Sequence, residues 1–184
     1  VILGSIESSF FTPDQLRMLG EFVSQRGGGL MVIGGRAALA EGGYRGTPVA
    51  EVLPVSLDRT PRGAEDPATE LRIKPTVAGL SSPALQLGLT DSASAKRWDS
   101  LPALTVVNAI GSLRPGATAL LTGRIEGQTT DQTVFASQRF GRGTAFVFSP
   151  QDSWLWKMHA DIPVDDATHS TLWRQIARTL TEES

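Results

Sequence analysis

The sequence predicts an α/β fold whose sheet is at least partly parallel, and three observations carry that prediction. Val1-Ile2-Leu3 and Leu30-Met31-Val32-Ile33 are short continuous apolar runs, as strands covered on both faces are. Between them, Leu16, Leu19, Phe22 and Val23 recur at helical spacing. Strand, helix and strand in that order make a βαβ unit, whose crossover lays the two strands parallel.

The helix is expected from Pro13 to Arg26. Thr12 is a good N-cap, Pro13 suits the first helical position, and Gln15 completes a capping box. Phe11 and Leu16 have the spacing of a hydrophobic staple. Gly27-Gly28-Gly29 ends the helix. After the strand Leu30–Ile33 comes a glycine-rich stretch from Gly34 to Pro48, at the strand's carboxyl end. The spacing then predicts a turn of helix near Val49–Leu53, a strand at Val55–Leu57 and an exposed polar loop from Asp58 to Thr69. Leu71-Arg72-Ile73-Lys74 alternates apolar and charged, as an edge or half-exposed strand does. From Val77 to Leu104 there is no clean period.

Four further strands are expected at Thr105–Ala109, Ala117–Thr122, Thr133–Arg139 and Thr144–Phe148, with Gly141-Arg142-Gly143 as a tight hairpin between the last two. A final helix over Asp166–Leu180 has a buried stripe of Leu172, Trp173, Ile176 and Leu180. Asp165 and Asp166 suit its dipole at the start.

Composition excludes several chemistries. The chain has 184 residues, enough for one domain with a real core, and 40% of them are hydrophobic. It contains no cysteine, which removes disulfides, thiolate metal sites and thiol nucleophiles. Two histidines, His159 and His169, are too few for a histidine-rich zinc site, so no metal or cofactor is expected. The net charge of −2, without a basic run, argues against nucleic acid as a partner. No stretch has the ~20 apolar residues of a membrane span, so direct membrane insertion is not expected. Val1-Ile2-Leu3-Gly4 reads as the end of a buried strand without a lead-in, which carries the expectation of a domain excised from a longer chain.

Candidate functional residues fall in three groups. Gly34, Gly35 and Arg36 follow a buried strand, where open α/β sheets bind ligands, and with Tyr44 and Arg45 they could hold an anion or a small ligand. Their spacing matches neither common phosphate-binding glycine motif, so the competing expectation is a loop built for close packing, with Tyr44 folded over it. Ser149, Asp152 and His169 are the residue types of a hydrolytic triad. No G-x-S-x-G elbow exists to hold a serine as nucleophile, and His169 sits one turn before Leu172 and Trp173. The expectation is therefore a partly buried histidine whose pKa is lowered by desolvation. Lastly, Trp154 and Trp156 would point to one side of an extended segment near His159, forming with Trp98 and Trp173 a platform for a sugar or peptide. Packing is the plainer use of all four. Asp161, Asp165 and Asp166 are only a faint cation site, since acids before a helix serve as caps.

Gly27-Gly28-Gly29-Leu30-Met31-Val32-Ile33-Gly34-Gly35, Glu41-Gly42-Gly43-Tyr44-Arg45-Gly46-Thr47-Pro48 and Val52-Leu53-Pro54-Val55 together resemble the glutamine-amidotransferase-like domain of large bacterial membrane proteins. Those proteins often also carry a von Willebrand factor A-type module. Gly141-Arg142-Gly143, the Trp154-x-Trp156 pair and His169 ahead of Leu172-Trp173-Arg174-Gln175 are similar to that family's ending. The resemblance implies a three-layer flavodoxin-like fold, mostly parallel, to which the middle of the chain adds antiparallel strands. It also implies a class I amidotransferase ancestry, in which a cysteine attacks the amide and a His-x-Glu pair serves it. Here the cysteine is absent, and Ser149-Pro150-Gln151 stands where such enzymes commonly have His-Pro-Glu.

The expectation is a non-catalytic scaffold or interaction module of a membrane-anchored protein of the bacterial cell envelope. Its partners would be other domains of the parent chain or separate proteins. The alternatives are a hydrolase using Ser149 and His169, or a small-ligand or carbohydrate-binding domain at the Gly35–Tyr44 loop.

Overall fold

The structure, a computed structural model, describes residues 1–59 and 70–182. The loop expected from Asp58 to Thr69 lies outside them except for its first two residues. One six-stranded sheet organises the chain. In chain order its strands are β1 (Ile2–Gly4), β2 (Gly29–Ile33), β3 (Leu71–Pro75), β4 (Thr118–Ile125), β5 (Asp131–Phe140) and β6 (Gly143–Phe148). Their order across the sheet is β1-β2-β6-β5-β4-β3. β1, β2 and β6 run parallel, while β5, β4 and β3 continue the sheet antiparallel.

Among the described residues six α-helices flank the sheet: α1 (Pro13–Ser24), α2 (Pro48–Val52), α3 (Val77–Leu80), α4 (Asp91–Asp99), α5 (Leu155–Met158) and α6 (Thr168–Glu182). Successive strand residues face opposite ways, so each strand feeds two cores. Leu30, Val32, Val147 and Ala136 pack with Leu16, Val23, Tyr44 and Leu53 on the α1–α2 side. Met31, Phe146, Phe148 and Phe135 pack with Trp98, Trp156, Leu172 and Ile176 on the α4–α6 side. This is the expected three-layer α/β arrangement, with its antiparallel strands coming from the middle of the chain.

β2 is buried nearly throughout and parallel to both neighbours, as its continuous apolar run requires. β1 differs from expectation. It forms the sheet edge, and of its three residues only Leu3 is buried. At the start of α1 the capping box is complete: Gln15 N donates to Thr12 Oγ1 at 3.2 Å, and Thr12 N donates to Gln15 Oε1 at 2.8 Å. Gly141 takes φ +60° at the first position of the two-residue β5–β6 turn, a conformation that favours glycine.

Two expected strands do not form. Val55–Leu57 makes a single bridge, Val55 with Leu113, and Thr105–Ala109 a single bridge, Val107 with Pro150. The second has a local cause. Asp152 Oδ2 accepts from Thr105 N (2.7 Å), Thr105 Oγ1 (2.9 Å) and Val106 N (3.2 Å), so those amides are not free for a ladder. Within the stretch that carried no period, α3 and α4 are instead set by caps. Thr76 Oγ1 accepts from Gly79 N, and Thr90 Oγ1 accepts from Ala93 N. Only Ser94 and Trp98 of α4 are buried, one turn apart, which is too little apolar surface to read as a stripe. Helix α6 begins at Thr168 rather than Asp166, because the Asp166 carboxylate takes the Thr168 N–H from outside the helix.

Candidate functional site

The parallel strands end together, and their carboxyl ends bring Ser5, Gly34, Gly35, Ser149 and Gln151 into one neighbourhood. Gly34 N donates to Phe148 O at 2.6 Å, directly joining the ends of β2 and β6. A Cβ on Gly34 would overlap the Ser149 carbonyl oxygen, and one on Gly35 would come within 2.6 Å of Ser5 Cβ. Both glycines are therefore demanded by chain crossing. Ser5 itself has φ +45°, a left-handed conformation uncommon for a residue with a side chain. Its hydroxyl accepts from Ala37 N at 3.4 Å.

Asn108 is the latch of this region, and nothing in the sequence singled it out. Its Oδ1 accepts from Gly35 N (2.9 Å) and Gln151 Nε2 (3.1 Å), while its Nδ2 donates to Gly35 O (3.0 Å). Buried, with both of its side-chain polar atoms bonded, it ties the 105–110 segment to the glycine loop and to the end of β6. Its sequence context, Val107-Asn108-Ala109, read as strand interior; the extended polar residue amid apolar ones was the only available signal.

Of the proposed ligand-holding residues, most serve the loop itself. Tyr44 is buried, its hydroxyl donates to Ile6 O at 2.9 Å, and burial raises its pKa. Arg45 donates to Leu57 O (2.8 Å) and Arg59 O (3.0 Å), closing the loop onto the following segment. Arg36 is different. It is exposed and has no hydrogen bond or ion pair among the described residues.

The three candidate triad residues are not joined to one another. Ser149 is fully buried, and its N–H (2.8 Å) and Oγ (3.1 Å) both donate to Val134 O. Val134 is the extra residue of a bulge in β5 against β4, and its carbonyl, facing Ser149 in register on the β6 side, accepts both through its two lone pairs. Asp152 holds the Thr105–Val106 backbone as described. His169 Nε2 accepts from Trp173 Nε1 at 3.0 Å. Desolvation, and to a smaller extent the charge of Lys157, lowers the His169 pKa.

Trp154 and Trp156 do not share a side, because the segment is helical and two residues on a helix point nearly opposite ways. Trp156 is 1% exposed, meets Trp98 edge-on at 5.5 Å and donates to Pro102 O at 3.0 Å. Trp154 is 52% exposed. Exposed Met158 lies one turn beyond it, and exposed Val106 is tied to the same segment by the Gln151 N to Val106 O bond at 2.8 Å. His159 Nδ1 lies 3.5 Å from Asp161 Oδ2. Asp166 pairs with Arg97, and Asp165 is exposed. Among the described residues no three His, Asp or Glu side chains gather as a metal site, and no helix is long and apolar enough to cross a membrane.

No protein-family model matches the sequence, and no curated protein is significantly similar to it. Solved structures share its fold. A cytoplasmic protein from Salmonella typhimurium superposes with a TM-score of 0.67 at 19% identity, over 98% of this chain and 70% of that one. A second cytoplasmic protein, from Salmonella typhimurium LT2, gives 0.65 at 18% identity, over 98% and 71%. Part of a cold-adapted β-galactosidase from Rahnella sp. R3 gives 0.54 at 15% identity, over 98% of this chain but 22% of the enzyme. At these identities the likeness is one of fold.

Proposed function

We propose that this domain is a non-catalytic interaction module on an amidotransferase-like scaffold, belonging to a larger membrane-anchored bacterial protein and docking other domains of that protein. The observation that carries the reading is the division of labour at the carboxyl ends of the parallel strands. Asn108, Ser149, Asp152 and His169 are each bonded to a partner that holds the fold. Three apolar side chains near them are exposed: Trp154 and Met158, one turn apart, and Val106, tied to the same segment through Gln151. Exposed aromatic and methionine side chains are the usual material of a protein contact.

The reading has two parts and needs two measurements. The purified domain is given glutamine and an activated ester; no ammonia and no ester turnover above buffer are expected. Turnover abolished by His169→Ala would refute the non-catalytic part. Titrating the domain with the remainder of its parent protein should shift the Trp154 fluorescence to the blue, with binding lost in Trp154→Ala. Unchanged binding by that variant would place the contact elsewhere.

A further inference from the structure

On the antiparallel side of the sheet lies an open cleft of about 510 Å3, well within the size range of small-molecule sites. Strand β3 builds its floor by simple alternation. Leu71 and Ile73 enter the core, so Arg72 and Lys74 face the other way, into the cleft. The β3–β4 register sets Arg72 directly opposite Arg124. Like charges at directly opposed positions repel.

Two of the three cations have counter-ions. Arg124 makes a two-point pair with Asp131 on β5, at 2.5 and 3.0 Å, and Lys74 lies 3.2 Å from Asp99. Arg72, between them, has no ion pair or hydrogen bond among the described residues. A planar guanidinium with a second one across the strand, the latter held in place by its carboxylate, is suited to bridge a phosphoryl group through paired N–H donors. The other end of the cleft is lined by Glu70 and Glu126. Those carboxylates would repel a second anion but accept hydrogen bonds from hydroxyls.

We propose that this cleft binds a small phosphorylated polyol, its phosphoryl group bridging Arg72 and Arg124 and its hydroxyls facing Glu70 and Glu126. The site is separate from the Trp154 surface and stands or falls independently of it.

The test is an NMR titration of the isotopically labelled domain with glycerol 3-phosphate, inorganic phosphate and glycerol. Saturable shifts at the amides of Arg72 and Arg124 are expected with glycerol 3-phosphate at millimolar concentration, weaker ones with phosphate, and none with glycerol. Arg72→Ala should weaken binding by about tenfold or more, the loss of one charged hydrogen-bonding partner. Arg26→Ala, which removes an exposed arginine outside the cleft, should leave it unchanged. Because Arg72 faces a like charge, its removal should not lower the melting temperature, so lost binding cannot be put down to unfolding. Absence of saturable shifts, or equal weakening by Arg72→Ala and Arg26→Ala, overturns the site. Glycerol 3-phosphate binding no tighter than inorganic phosphate overturns the polyol assignment.

Discussion

Trp173 Nε1 donates to His169 Nε2 across 3.0 Å, one turn apart on α6, and the same indole meets the edge of Phe148 at a centroid distance of 5.2 Å. An acceptor Nε2 requires the neutral ring to carry its proton on Nδ1. The histidine is thereby part of the packing between α6 and the end of β6.

Protonating His169 would put a hydrogen on the nitrogen that accepts from Trp173. Its folded-state pKa lies below the ordinary value of 6.5, so as pH falls the unfolded chain takes up the proton first. The stability contributed by the neutral ring is present above about 6.5 and is lost as pH falls through the folded-state value. Urea unfolding at pH 7.5 and at pH 5 should show the domain less stable at pH 5. The difference should shrink in His169→Gln, and an unchanged difference would assign it to other groups.

Gly34→Ala should destabilise the domain by about 2 kcal/mol or more, since the added methyl meets backbone rather than a side chain that can turn away. Gly4→Ala is the control, with nothing within 4 Å of the new Cβ, and should change stability by no more than about 0.5 kcal/mol. Denaturant midpoints compare the two directly.

Asp152→Ala removes the acceptor of three hydrogen bonds from a buried position and should cost about 2–4 kcal/mol. Asp152→Asn keeps one oxygen for those donors and places its amide nitrogen where Oδ1, buried without a partner, now sits. It should cost less than the alanine variant. Equal losses would mean that charge, not the acceptor geometry, holds the Thr105–Val106 backbone.

The two tryptophans of the Trp154-x-Trp156 pair should separate cleanly. Trp156→Ala opens a cavity beside Trp98 and should cost about 3–5 kcal/mol. Trp154→Ala should leave the melting temperature nearly unchanged, because half of that ring is already in water. Thermal unfolding of the two variants is the measurement.

The sequence by itself determined the elements whose signals are local. The capping box at Thr12 and Gln15, the apolar run of β2, the alternation of β3 and the glycine turn before β6 each depend on residues a few positions apart, and each formed where expected. The same locality makes the absence of cysteine chemistry certain from composition alone.

Tertiary structure alone decided which polar groups were free. Asn108 lies 73 positions from its partner Gly35, Asp152 is 47 from Thr105, and Gln138 reaches Val52 O across 86; such pairings leave no periodic trace. Ser149 and His169 could be named as residue types, but their partners, a bulge carbonyl and an indole, were set by strand register and helix packing. The cleft at Arg72 is of the same kind. Alternation in β3 exposes the arginine, yet only the register with β4 sets Arg124 across from it, because strand pairing joins segments whose separation along the chain carries no information about their charge.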